Sequence, residues 1–137
     1  MKVSIDTNVI LDVLIGRESH LEASSAFLKL CGRQVTGLIA ASQTTDIFFL
    51  LCREGHDAQT VKAFLKKLVN NVKVIGVTAA DVSNALASDM TDFEDALLAY
   101  CGQRQKAEYI ITRNEKDFGQ SPVPALTPHA FLDKFYS

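Results

Sequence analysis

The sequence has no surplus of positive charge. Its 14 lysines and arginines stand against 16 aspartates and glutamates, a formal net charge of −2. A global basic field that would hold nucleic acid nonspecifically is therefore absent, and any such contact must be local or run through metal ions. No apolar run is long enough to span a bilayer; the longest candidate, Ile47 to Cys52, is far too short. The opening Met1-Lys2-Val3-Ser4-Ile5-Asp6 puts an acid where an export signal needs apolar residues, so the cytosol is the expected location. Cysteine is sparse. Cys31, Cys52 and Cys101 are odd in number and far apart, with no paired-thiol spacing for zinc, and read as reduced core residues. The seven glycines are dispersed, which argues against a phosphate-cradling P-loop or a dinucleotide fingerprint. No Gly-x-Ser-x-Gly elbow accompanies His20, His56 and His129, which counts against a serine-hydrolase triad.

What is present is the composition of one ordinary globular domain: 47% hydrophobic and 22% charged residues in a chain of 137, enough for one core and too little for two. Apolar β-branched runs predict strands at Lys2–Ile5, Val35–Ala40, Val72–Val77 and Tyr109–Thr112, with a short fifth at Pro122–Leu126. Between them, apolar residues recur at helical spacing. Gly16 and Gly32 end the first two helices, Ser42 caps one running to Cys52, and another spans about Ala58–Val69. Thr78 with Asp81, and Thr91 with Glu94, read as capping boxes, and Thr127-Pro128 as the start of the last helix. Strands alternating with helices imply a parallel sheet covered on both faces, and ligands of such sheets bind beyond the carboxyl ends of the strands.

The acids fall at that rim. Asp6 follows strand one directly, and Asp46 lies in the first turns of the helix after strand two. Asp92 and Asp95 open the helix before strand four, three residues apart and so on nearly one side of it, and Asp117 follows strand four. Each alone has a plain structural reading as turn former or helix-dipole partner. Together they form a carboxylate cluster that only cations would neutralise, and all-oxygen ligation selects Mg²⁺ or Mn²⁺ over zinc. Asp12, near the opposite helix face, reads as structural or solvated. Glu94 reads as the reciprocal partner of Thr91 and is left out of the site.

The stretch Ile5-Asp6-Thr7-Asn8-Val9-Ile10-Leu11-Asp12 resembles the opening of PIN-domain nucleases. So do Asp92-Phe93-Glu94-Asp95-Ala96-Leu97, then Tyr109-Ile110-Ile111-Thr112-Arg113-Asn114, then Asp117-Phe118, in matching order over nearly the whole chain. The likeness is greatest to the VapC-like toxins of toxin–antitoxin pairs. It implies an α/β, three-layer PIN fold with a parallel sheet of four to five strands between helices, and Mg²⁺- or Mn²⁺-dependent hydrolysis of RNA. Carried over, the family's acids are Asp6, Asp46, Asp95 and Asp117, with Asp92 as an additional metal ligand beside Asp6, Asp95 and Asp117. Asp46 stands where the family usually has Glu, one methylene longer. Thr112 matches a hydroxyl residue that supports the loop, and Asn8 a polar residue that orients the first loop. Arg113 or Lys116 is expected to meet a phosphate.

The resemblance also implies partners: an RNA substrate, a cognate antitoxin and a second copy of the chain. The antitoxin is expected to push an arginine into the carboxylates while an apolar helix docks alongside. Phe48 and Phe49 are the exposed apolar candidates for a two-fold dimer. Two other readings fit less well. A phosphate-accepting signalling domain needs an acid after strand three, where Ile75-Gly76-Val77-Thr78 has none, and a dehalogenase-type phosphatase needs a second Asp where Asn8 stands. A third, a PIN fold that binds RNA or protein without cutting, is kept open by Asp46.

Overall fold

A computed structural model describes all residues, Met1–Ser137. Five strands form one sheet in the order β3-β2-β1-β4-β5, every pair parallel. They are β1 (Lys2–Ile5), β2 (Thr36–Ala40), β3 (Lys73–Ile75), β4 (Tyr109–Ile111) and β5 (Ala125–Leu126). Seven helices connect and flank them: α1 (Thr7–Ile15), α2 (Glu18–Leu30), α3 (Ala41–Arg53), α4 (Ala58–Asn71), α5 (Ala79–Ala87), α6 (Phe93–Arg104) and α7 (Pro128–Tyr136). A 3₁₀ turn, Glu115–Phe118, follows β4. No helix is long and apolar enough to cross a membrane.

The strands are apolar nearly throughout because both sheet faces are covered. Alternation divides β1 between two layers. Val3 and Ile5 join the larger core with Val9, Ile10, Phe27, Ile39, Ile47 and Phe131, where the rings of Phe27 and Phe131 meet edge to face at 5.5 Å. Ser4 faces the other layer, under α6. There Gly102 lets helix and strand approach so closely that a Cβ would lie 2.5 Å from Ser4 Oγ. Leu98, Ala99, Ile110, Phe118 and Val123 pack on this side, as do Leu38, Ala40, Ile75 and Cys101.

Boundaries differ from the sequence expectation where a neighbour decides them. β3 covers three residues rather than six, because its partner β2 ends at Ala40 and α4 holds Val72 through its N–H to Leu68 O. α3 starts at Ala41, with Gln43 Oε1 accepting from Ala40 N at 2.7 Å in place of a Ser42 cap. The Thr78–Asp81 box forms as expected, with Asp81 N to Thr78 Oγ1 at 3.2 Å and Thr78 N to Asp81 Oδ2 at 3.0 Å. Burial alone would raise the Asp81 pKa, but Arg104 above all, with the Thr78 N–H and Cys101, holds it at about 2. That pair ties α5 to α6. The expected Thr91–Glu94 box does not form: Asp92 is the N-cap of α6, accepting from Asp95 N at 3.0 Å. Aspartate caps well, and Asp95 at the third helical position supplies the N–H it needs. The three cysteines are free, Cys31 and Cys101 buried.

Candidate active site

β1 is the central strand, so the residue after it sits in the middle of the carboxyl-end rim. Asp6 continues the ladder by one bond, N–H to Ile111 O at 2.9 Å, and α1 starts at the next residue. Its side chain makes no cap to α1. Instead it accepts from Thr112 Oγ1 at 2.8 Å, and that hydroxyl in turn accepts from Asn114 N at 3.2 Å. Thr112 is fully buried, so a single hydroxyl fixes both the first acid and the loop after β4.

Asp6, Asp46, Asp92, Glu94, Asp95 and Asp117 all line one open cleft of about 670 Å³, and no lysine or arginine does. Asp46 belongs to the side of α3 that faces the cleft, with Gln43, Phe49 and Leu50, while Ile47 and Leu51 point into the core. Asp92, Glu94 and Asp95 come from the first turn of α6. Asp117 is carried by the 3₁₀ turn, which is anchored by buried Phe118.

Crowding like charges disfavours their ionisation. Asp95 is raised to about 7, first by burial and then by the charges of Asp6, Asp92, Asp117 and Glu94. Asp6 is also raised, chiefly by burial, with the Thr112 hydrogen bond and Arg113 pulling the other way. Glu94 is raised by burial, then by Asp46, Asp92 and Asp6. Its place in the cleft lining, with Asp92 as the N-cap, corrects the capping role expected of Glu94. It caps nothing and belongs to the cluster. The signal was in the sequence: Asp92 is as good an N-cap as Thr91, and choosing it turns Glu94 loose.

No three of these carboxylates converge into a formed ligand set. The donors nevertheless suit a hard divalent cation. All are oxygens, their summed charge is unbalanced, and Mg²⁺ keeps several waters while using only one or two carboxylates directly. Asp6, Asp92, Asp95 and Asp117 are the residues that would hold such an ion.

One expectation fails here. Arg113 does not line the cleft. Its Nε pairs with Asp12 Oδ2 at 3.4 Å. Of the two readings of Asp12, the structural one holds: it is fully buried, and Arg17 Nη1 (3.2 Å) and Ser24 Oγ (3.4 Å) complete its surroundings. A buried carboxylate left unpaired is costly, so it keeps the nearby guanidiniums. Asn8 lines the cleft, at 3.5 Å from Arg17 Nη1. Lys116 lies exposed in the 3₁₀ turn. Gln43 was missed. Buried at the start of α3, it donates from Nε2 to Ile5 O at 2.8 Å and Thr7 Oγ1 at 3.1 Å, and so binds α3 to the loop carrying Asp6. Its only signal was an amide at the third position of a helix that lacks a side-chain cap.

A family model described as PIN domain matches residues 2–116. No curated protein matches the sequence. Among solved structures, the chain resembles VapBC2 of Rickettsia felis bound to a promoter DNA fragment, with TM-score 0.72, 15% identity and coverage of 93% of this chain and 98% of that one. It also resembles a toxin–antitoxin complex from Klebsiella pneumoniae, at 0.68, 22%, 92% and 97%. A third is Mycobacterium tuberculosis VapC20, described as a sarcin-ricin-loop-cleaving toxin, at 0.69, 15%, 89% and 98%. With the acids on the rim of a parallel sheet in this order and a domain match over most of its length, the chain belongs to the PIN-domain family and has the fold of its VapC-like members.

Proposed function

We propose that the protein is a Mg²⁺- or Mn²⁺-dependent ribonuclease acting in the cytoplasm as the toxin of a toxin–antitoxin pair. The observation that carries this reading is Asp95, held at a pKa of about 7 among five other carboxylates in a cleft without a basic residue. A fold does not keep such unbalanced charge for its own stability. A divalent cation, when bound, supplies charge neutralisation and makes water a nucleophile at neutral pH. The chain's own residues do the rest. Thr112 holds the Asp6 carboxylate in one orientation, Asp92 fixes the helix start that carries Asp95, and Asp95 would give up its proton to make room for a cation's charge. Asn8 and Asn114, both in the cleft, are the uncharged donors for phosphate oxygens. Arg113 acts through Asp12 and Asp6.

The spread of the acids favours a second reading, a PIN fold that holds RNA without cutting it. Incubation of a structured RNA with Mn²⁺ or with EDTA separates the two. Cleavage that requires Mn²⁺ and falls at least 100-fold in Asp6→Asn and Asp95→Asn is expected; Mn²⁺-independent cleavage, or none, contradicts the nuclease reading.

Two partners belong to the same proposal. A cognate antitoxin is supported by the toxin–antitoxin complexes among the structural relatives. It is supported too by an apolar groove of about 180 Å³ lined by Ile10, Val13, Leu14, Leu28, Phe64 and Leu68. A homodimer belongs to the same reading, with Leu86, 70% exposed, as its apolar candidate. Phe48, expected to be exposed with Phe49, packs against the large core.

A further inference from the structure

The cleft presents a binding problem. RNA is a polyanion, and proteins that hold it usually do so with lysine and arginine along the phosphates. Here the lining contains six carboxylates and no cation. Arg17, whose Nη1 lies 3.5 Å from Asn8 of the lining, and Arg113 are both engaged with buried Asp12. A bound divalent ion neutralises the acids at one point, but it offers nothing to the nucleotides on either side.

The same lining holds two aromatic rings, and both face solvent. Phe49 is 62% exposed and Phe93 44%. Each is tied to the acids by its place in a helix. Phe49 lies three residues after Asp46 on the cleft side of α3, and Phe93 lies between Asp92 and Glu94 in the first turn of α6. The Arg53 guanidinium stands 5.8 Å from the centroid of the Phe49 ring, beside the cleft rather than among its lining residues. Exposed phenyl rings cost solubility and add nothing to the core. A nucleobase suits this surface. Its face stacks on a ring whatever its identity, and its exocyclic amines donate to carboxylates that would repel a phosphate. Only unpaired bases can do this, since bases in a duplex are stacked on one another.

We propose that Phe49 and Phe93 form a stacking surface on two helices that grips unpaired bases beside the carboxylates, so that base contacts, not phosphate contacts, provide the affinity for a single-stranded or looped RNA. This inference rests on the ribonuclease reading above.

The test is the anisotropy of labelled oligonucleotides in Ca²⁺, with an oligocytidylate of about ten nucleotides, its abasic counterpart and a duplex as probes. Phe49→Ala and Phe93→Ala each remove a solvent-facing ring, so the fold should survive. Each is expected to weaken oligocytidylate binding roughly 5- to 100-fold. Abasic and duplex binding should be unchanged, Phe49→Trp should restore affinity, and NaCl should have little effect on wild type. In cleavage, the same variants should raise KM while kcat stays within about twofold. Equal loss for base-bearing and abasic strands, or no loss for either, overturns the proposal. So does a change from dimer to monomer in Phe49→Ala with the base-to-abasic ratio intact, which assigns the ring to a subunit contact. If wild type cuts RNA in Mn²⁺ and neither variant changes KM, stacking falls and the nuclease stands. If wild type neither cuts RNA nor binds any probe, both fall.

Discussion

Asp95 is the point at which burial and charge act together. Its pKa of about 7 against 3.8 in the unfolded chain means that the folded, metal-free protein binds the extra proton. Its contribution to stability is therefore complete below about 3.8 and is lost as pH rises through about 7. Unscreened, the shift would correspond to roughly 4 kcal/mol. Water in an open cleft reduces this, and about 2 kcal/mol is a reasonable expectation. Urea melts of the metal-free protein should show stability falling between pH 4 and pH 8, with Asp95→Asn flattening the dependence and being the more stable protein at pH 8. Glu94→Gln should lower the Asp95 midpoint in a carboxyl NMR titration, because Glu94 is one of the charges that raise it. A pH-independent wild type would mean the carboxylates do not interact as described. The four principal acids were legible from their places after strands and at helix starts. Glu94 was not, because choosing between Thr91 and Asp92 as N-cap moves its role from helix start to cleft.

At the scale of elements, local chemistry accounts for most boundaries and contact for the rest. Gly16 adopts the left-handed conformation (φ 75°) that ends α1, and Thr127 with Pro128 opens α7 as their chemistry dictates. The short β3 and the missing Ser42 cap were not legible, since one depends on where β2 stops and the other on a distant amide reaching Ile5. Among the glycines, the closest approach is that of Gly102 on α6 to Ser4 on β1. Ser4 Oγ is buried without a partner and can turn aside for a methyl group, but not for a branched side chain. Gly102→Ala is thus expected to cost about 1 kcal/mol and Gly102→Val about 3 kcal/mol in chemical denaturation. Since α6 carries Asp95, the valine variant should also lose metal affinity. Equal stability of the two variants would contradict so close an approach.

Across the whole molecule, strand–helix alternation was enough to foresee a parallel sheet with its acids at one rim. The strand order, with β1 central and β3 and β5 at the edges, is set by tertiary pairing that no local pattern encodes. The same limit explains Arg113. Its position beside the acids suggested phosphate binding, yet its partner is Asp12, a distant residue in sequence that burial leaves in need of positive charge. What unites fold and chemistry is a net charge near zero with six acids gathered in one cleft while Arg17 and Arg113 are turned to Asp12. If that arrangement serves to hold a divalent cation, binding must stabilise the folded state by mass action. The direct measurement is the thermal midpoint at pH 7 with and without millimolar Mn²⁺, for wild type and for the Asp6→Asn/Asp95→Asn double variant. A rise of about 5 °C or more in wild type, absent in the double variant, is the expected result. An unchanged wild-type midpoint, or an equal rise in both proteins, would contradict a metal site built from these carboxylates.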